Sequence, residues 1–149
     1  MKSLFNRSAS EEMVKRITGL TNGSTRQWGK MSVGQMAAHC AVALEVAVGD
    51  KTQKRSLASI LFGRIAKKQL FTDKPFKQGL PTDKLFVMHD EKELENEKKR
   101  LVSVVNRFSE MSTGGVTKEP HPFFGNLTPD EWGTLMWKHL DHHLRQFGA

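Results

Sequence analysis

At 149 residues with 38% hydrophobic side chains and no visible internal repeat, the chain has the length of one domain, able to bury roughly 70% of its extended surface. Its single cysteine, Cys40, excludes an internal disulfide, and no stretch approaches the ~20 apolar residues of a membrane span, so a soluble cytoplasmic protein with no membrane partner is expected. The net charge of +7 sits in one place, between Lys51 and Lys77, where Lys51, Lys54, Arg55, Arg64, Lys67, Lys68, Lys74 and Lys77 face a single acid, Asp73. Phe62, Phe71 and Phe76 are interleaved there, but neither a C-x-x-C finger nor an RNA-binding sheet pattern accompanies them, so a solvated basic connection is expected and nucleic acid is not.

In chain order, Ser8 or Ser10 can cap a short first helix reaching Leu20, with Met13, Ile17 and Leu20 as its buried stripe and Glu11 and Glu12 near its positive end. T-N-G-S-T at 21–25 ends it. After Trp28, Ser32 and Gln35 form a capping box for a second helix reaching about Gly49. Between Met31 and Val48 only Glu45 is charged, which predicts a central helix buried on most sides. His39 lies inside that apolar stretch, and Cys40 reads as a small buried hydrophobe.

The connection from 51 to 89 should hold one amphipathic helix of about four turns over S-L-A-S-I-L-F-G-R-I-A-K-K-Q-L-F, with Leu57, Ile60, Leu61 and Ile65 as its apolar residues. From Thr72 to His89, Pro75, Gly79 and Pro81 predict an ordered surface loop, with His89 exposed. Asp90 with Glu93 reads as the cap of a third long helix, whose core face is Leu94, Leu101, Val104, Val105 and Phe108, and which ends before S-T-G-G at 112–115. The loop E-P-H-P-F-F-G-N-L then leads into the last helix. Thr128 is its cap, Pro129 suits its first turn, Glu131 completes a capping box, and the helix should run to Phe147 and stop at Gly148. No convincing strand pair is present, so the fold is expected to be all-α, a four-helix bundle with an extra helix in the second connection.

Chemistry rests on histidine. His139 and His143 lie four residues apart, one turn apart on one helical face, so that one metal can be shared; Trp132, Met136 and Phe147 share their stripe. Two imidazoles on an apolar stripe are costly to bury without partners. A third ligand can be tested by height. His39 lies about 10 Å from the start of the second helix, while His139 and His143 centre about 19 Å along a final helix roughly 30 Å long. The three converge only if those two helices are antiparallel, which requires the second and third long helices to be parallel and joined by a long crossover. The segment 51–89 supplies one.

Trp28 eleven residues before a single inward histidine, a basic crossover, and H-x-x-x-H in the last helix together resemble the DinB/YfiT-like superfamily of metalloenzymes. The ending H-L-D-H-H-L-R-Q-F-G at 139–148, preceded by H-P-F-F-G-N-L-T at 121–128, is similar to an uncharacterised branch of it. The resemblance runs from about Arg26 to Gly148. It implies a single bundle domain over 1–149, up-down-down-up, with a divalent metal, zinc or nickel, held by His39, His139 and His143. It also implies a metal-dependent transferase or hydrolase acting on a small molecule, with a low-molecular-weight thiol as cosubstrate.

His142, about 60° off the stripe, reads as a neighbour of the site; His121 could overhang it or serve the loop. Gln35, Trp132, Met136 and Asp141 are pocket or supporting candidates, and Trp137 could also line the pocket. Glu45 and Asp141 are the only general bases near in sequence, each reading better as a structural or supporting group. Two other readings stand beside the enzyme: a non-catalytic metal- or ligand-binding bundle, and a basic nucleic-acid-associated helical protein. The many apolar side chains are compatible with a homodimer.

Overall fold

The computed structural model describes residues 1–55, 57–79 and 86–149. Five helices are present among them and no strand: α1 (Arg7–Thr18), α2 (Val33–Ala47), α3 (Leu57–Leu70), α4 (Leu94–Glu110) and α5 (Pro129–Arg145). Ser56, at the head of the expected crossover helix, and Pro81, in the loop after it, lie outside the described residues, as do the side chains of Phe62 and Arg64.

Helix starts follow side-chain chemistry, with two corrections. Ser32 and Thr128 form the expected capping boxes with Gln35 and Glu131, satisfying backbone N–H groups that the first turn leaves unpaired. The cap of α1 is Asn6 rather than Ser8 or Ser10: its side chain accepts from the Ala9 amide at 3.2 Å, while Ser10 turns inward and is buried. The earlier start leaves Glu11 and Glu12 beyond the first turn. The cap of α4 is Glu93 rather than Asp90, because the longer carboxylate reaches the amides of both Glu95 and Asn96, at 2.9 and 2.8 Å. Helix α5 ends two residues before Phe147, and Gly148 adopts a left-handed φ of 73°.

Helix α2 is the centre of the core. All of its residues except Gln35 and Glu45 are buried, and its run of Ala and Val lets α4 and α5 both approach it closely. Helices α1, α2, α4 and α5 pack as a closed ring, α1 on α4, α4 on α2, α2 on α5 and α5 on α1. Met13, Ile17, Met36, Leu44, Leu101, Phe108, Trp132 and Leu140 fill the interior. The expected face of α4, from Leu94 to Phe108, is buried throughout.

Polar contacts fix which ends meet. Lys98 near the start of α4 donates to the Leu20 carbonyl after α1, and Ser109 near its end bonds Ser10 near the start of α1. Gln35 at the start of α2 donates to the carbonyls of Met88 and Asp90, ahead of α4, while Glu45 near its end meets Arg100 with two bonds of 2.7 Å. The Gln27 amide, ahead of α2, donates to the Gln146 carbonyl at the end of α5. Glu45 also pairs with Lys51 at 2.8 Å; burial would raise its pKa, but these two cations hold it below the usual carboxylate range.

Candidate metal centre

Two helix caps position the histidines, one on α2 and one on α5. The Ser32 box starts α2, and seven residues later His39 is buried on the face turned to α5. On α5, the Thr128 box and Pro129 set the helix phase that places His139 and His143 one turn apart, with ring centroids 4.7 Å from each other. Both side chains are partly buried.

Nitrogen atoms of His39, His139 and His143 lie within 4.8 Å of one another. The Nε2 atoms of His39 and His139 face each other at 3.0 Å. Hydrogen bonding on the far side of the rings assigns the protons. His39 Nδ1 lies 2.7 Å from the Phe86 carbonyl oxygen, which can only accept, so Nδ1 carries the hydrogen and Nε2 a lone pair. Gln146 Nε2 donates to the Trp28 carbonyl at 2.7 Å, which turns Gln146 Oε1 toward His143 Nδ1, 3.0 Å away. His143 Nδ1 is therefore also the donor, and its Nε2 is free. Two imidazoles are thus held with the unprotonated nitrogen available, the outer-sphere arrangement that orients metal-binding histidines. Ligands at Zn–N distances of 2.0–2.1 Å in a tetrahedron lie about 3.3 Å from each other, so a triad this compact needs little adjustment to share an ion.

Electrostatics keep the rings neutral. Burial lowers the pKa of His39, and the Phe86 hydrogen bond only partly opposes it. His139 is held well below the ordinary histidine value, first by burial and then by the neighbouring imidazoles of His143 and His39. Burial, with His39 alongside, brings His143 down to about 3 despite its bond to Gln146. A positive charge from protonation is thus excluded near neutral pH, and three nitrogen lone pairs are available to a cation.

An aromatic rim surrounds the triad. The Phe86 ring stands edge-on to His39 with centroids 6.1 Å apart, and His142 lies between Trp28 and Phe76, at 5.6 and 6.0 Å. Burial lowers the pKa of His142 too. The crossover is tied down beside the site by Lys138, whose buried ammonium donates to the carbonyls of Leu70 and Thr72 at 2.7 Å each and sits 5.2 Å from the Phe76 ring centroid. Leu70 closes the last turn of α3 and Thr72 follows it, so Lys138 ties the helix end to α5 and holds Phe76 in place.

The other expected site residues are engaged in other contacts, with His121 near enough to His139 to add to the lowering of its pKa. Gln35 is a helix cap and a tie to the chain ahead of α4. Trp132 and Met136 are core. His121 serves its own loop: Nδ1 accepts from the Phe123 and Phe124 amides at 3.0 and 3.2 Å, and the ring packs on Trp132. Asp141 pairs with Arg16 at 2.8 Å, joining α1 to α5 away from the triad's face. Trp137 faces Lys2, and Glu45 is held by Arg100 and Lys51. Both carboxylates are engaged in ion pairs. His89 is exposed, and Cys40 is fully buried, its thiol pushed up by burial.

Sequence reasoning missed Gln146, Phe86 and Trp28 as supports of the site. Gln146 stands three residues after His143, on the same side of the helix end, and that spacing was a usable signal. The other two act through backbone carbonyls, which leave no mark on side-chain identity.

The family model described as "Protein of unknown function (DUF1569)" matches residues 2–149. No curated protein and no solved structure matches the chain.

Proposed function

The chain belongs to the DUF1569 family, a description that carries no activity, and we propose from its histidine site that it is a metal-dependent enzyme acting on a small molecule. His39, His139 and His143 would hold one divalent ion, zinc or nickel. The observation that carries this reading is the outward anchoring of Nδ1 in His39 and His143, which leaves an unprotonated Nε2 on each, that of His39 facing His139. Without a cation the 3.0 Å contact is satisfied only when His139 Nε2–H donates to the lone pair of His39 Nε2, and an ion would take the place of that proton.

An ion held by three neutral nitrogens would keep its full positive charge and, with a coordination position open, lower the pKa of water or of a thiol cosubstrate toward neutrality. The chain's own residues supply orientation and exclusion. Phe86 and Gln146 hold the ring tautomers, Trp28 and Phe76 shield the site beside His142, and the partly exposed side chains of His139 and His143 mark the side from which substrate would approach. The reading includes an S-transferase using a small thiol, or a hydrolase.

The proposal includes the DinB/YfiT-like arrangement, with α1, α2, α4 and α5 running up, down, down and up. It is supported by the end pairings of Lys98 with Leu20, Gln35 with Asp90, and Gln27 with Gln146. The crossover between α2 and α4 that such an order requires contains α3.

The test is turnover by chelator-stripped protein, by zinc- or nickel-loaded protein and by loaded His139→Ala, with glutathione-type thiols and electrophilic acceptors and with ester and amide substrates. The proposal expects activity in the loaded wild type alone. Activity retained after stripping, or undiminished in His139→Ala, contradicts it. A loaded protein that binds the ion and turns over none of these substrates favours the non-catalytic metal-binding bundle instead.

A further inference from the structure

Helix α3 is built the wrong way round for a helix that belongs only to this chain. Its inward side consists of small residues: Ser59 and Gly63 are buried, and a Cβ at Gly63 would collide with the Phe123 carbonyl, so the backbone itself lies against the 121–126 loop. Leu70 at its end is the one large side chain among the described residues of α3 that turns in. The branched aliphatic residues point out. Leu57 is 81% exposed, Leu61 70%, Ile65 62% and Ile60 51%. A helix stabilised by its own domain buries such residues and shows its polar ones.

The outward face has a definite pattern. Leu57, Leu61, Ile65 and Lys68 follow one another at intervals of three or four residues, so Lys68 lies at one end of the aliphatic strip; Lys54 precedes the helix by three residues, and all five are exposed. Lys74 and Lys77 are exposed just beyond it. Two other cations of the segment are already used: Lys67 pairs with Glu131 at 2.7 Å and Lys51 with Glu45. Whatever covers the strip must be apolar where Leu57 and Leu61 enter and negative around it.

We propose that this face of α3 docks on an anionic lipid surface. A second copy of the chain would bring the same lysines against each other around a patch on the order of 400 Å², about half of what each partner of a stable complex contributes. A bilayer of acidic lipids meets both requirements at once. Four aliphatic side chains enter the headgroup boundary with the helix lying in the plane, while the lysine stems extend along the apolar surface and their ammonium groups meet the phosphates. No helix among the described residues is long and apolar enough to cross a membrane, so the attachment is peripheral and reversible. The lack of a spanning stretch argues only against crossing a bilayer; the exposed aliphatic residues of α3 fit attachment to its surface. The inference does not depend on the metal site.

The experiment is co-sedimentation of the full chain with unilamellar vesicles of phosphatidylcholine alone and of phosphatidylcholine with about 30% phosphatidylserine, in about 0.1 M and about 0.5 M salt. Leu57→Ser/Leu61→Ser and Lys54→Gln/Lys68→Gln are run beside the wild type. Both pairs are exposed and leave the bundle intact, which circular dichroism checks. Wild type should partition to the phosphatidylserine vesicles and not to phosphatidylcholine alone. Each lysine removed should weaken partitioning about fivefold and the leucine pair at least tenfold, with higher salt acting in the same direction as lysine loss. Absence of partitioning by wild type overturns the proposal, as does equal partitioning of the leucine variant, which would leave charge attraction alone. A wild-type dimer in sedimentation velocity that the leucine variant converts to monomer assigns the face to a second copy, and also overturns it.

Discussion

Replacing Gln146 by Leu should weaken metal binding without unfolding the protein. Gln146 is 3% exposed and makes two bonds through one amide, accepting from His143 Nδ1 at 3.0 Å and donating to the Trp28 carbonyl at 2.7 Å. Gly29, at φ 81°, leaves room for it, since a Cβ there would strike the Gln146 amide nitrogen. Leu has nearly the same volume, so packing is kept while both bonds go. Loss of the bond that orients a ligating imidazole costs about 10- to 100-fold in metal affinity, or ~1.4–2.7 kcal/mol. Stranding the Trp28 carbonyl costs a further ~1–3 kcal/mol of folding stability.

Gln146→Glu separates the two effects. A carboxylate still accepts from His143 Nδ1 but has no N–H for Trp28, so this variant should lose stability of similar size and retain metal affinity. Zinc affinity by competition with a chromogenic chelator, and urea midpoints of the metal-free proteins, report the two quantities independently. Unchanged zinc affinity in a folded Gln146→Leu protein would refute the reasoning. So would an equal loss of affinity in the Leu and Glu variants, since the orientation of His143 could not then be the cause.

Three other outcomes follow from the same geometry. In the metal-free protein, burial holds His143 at about 3 in the folded state against ~6.5 unfolded, so the unfolded chain takes up the proton first. Stability is therefore complete above about pH 6.5 and falls as pH drops toward 3, by ~2 kcal/mol at pH 5 from this group alone. His39 and His139 are shifted the same way and add to the loss; a urea midpoint unchanged between pH 7 and 5 would contradict this. His142→Ala, which removes a ring packed on Trp28 and Phe76 but outside the three-nitrogen group, should leave zinc affinity within about threefold of wild type by the same chelator competition. Gly34→Ala should destabilise by ~1–3 kcal/mol or more in thermal unfolding, because its Cβ would meet the Lys92 carbonyl where the chain ahead of α4 crosses α2.

Most of what places the triad was legible before any coordinates. The Ser32 and Thr128 boxes set the phases of α2 and α5, and the 3.6-residue period then put His39, His139 and His143 on inward faces. Height along the helices made their convergence conditional on an antiparallel α2 and α5, and the Gln27–Gln146 contact joins the matching ends. Caps failed where two polar residues competed: Asn6 outran Ser8, and Glu93 outran Asp90, because the longer or better-placed acceptor reached the open amides. Helix α3 was recognised as a helix, but its period could not say which side faces the protein. Only the Phe123 carbonyl against Gly63 decides that, and it comes from a loop 60 residues away in sequence. The supports at Phe86 and Trp28 are backbone oxygens, invisible to any reading of side-chain types.

Calorimetric titration of chelator-stripped protein with zinc tests the metal site most directly, with His39→Ala, His139→Ala and His143→Ala beside the wild type. One ion should bind per chain, and each substitution, by removing one of three nitrogen ligands, should lower the affinity by at least about a hundredfold. Wild type and all three variants binding zinc equally, or none of them binding it, would contradict the account.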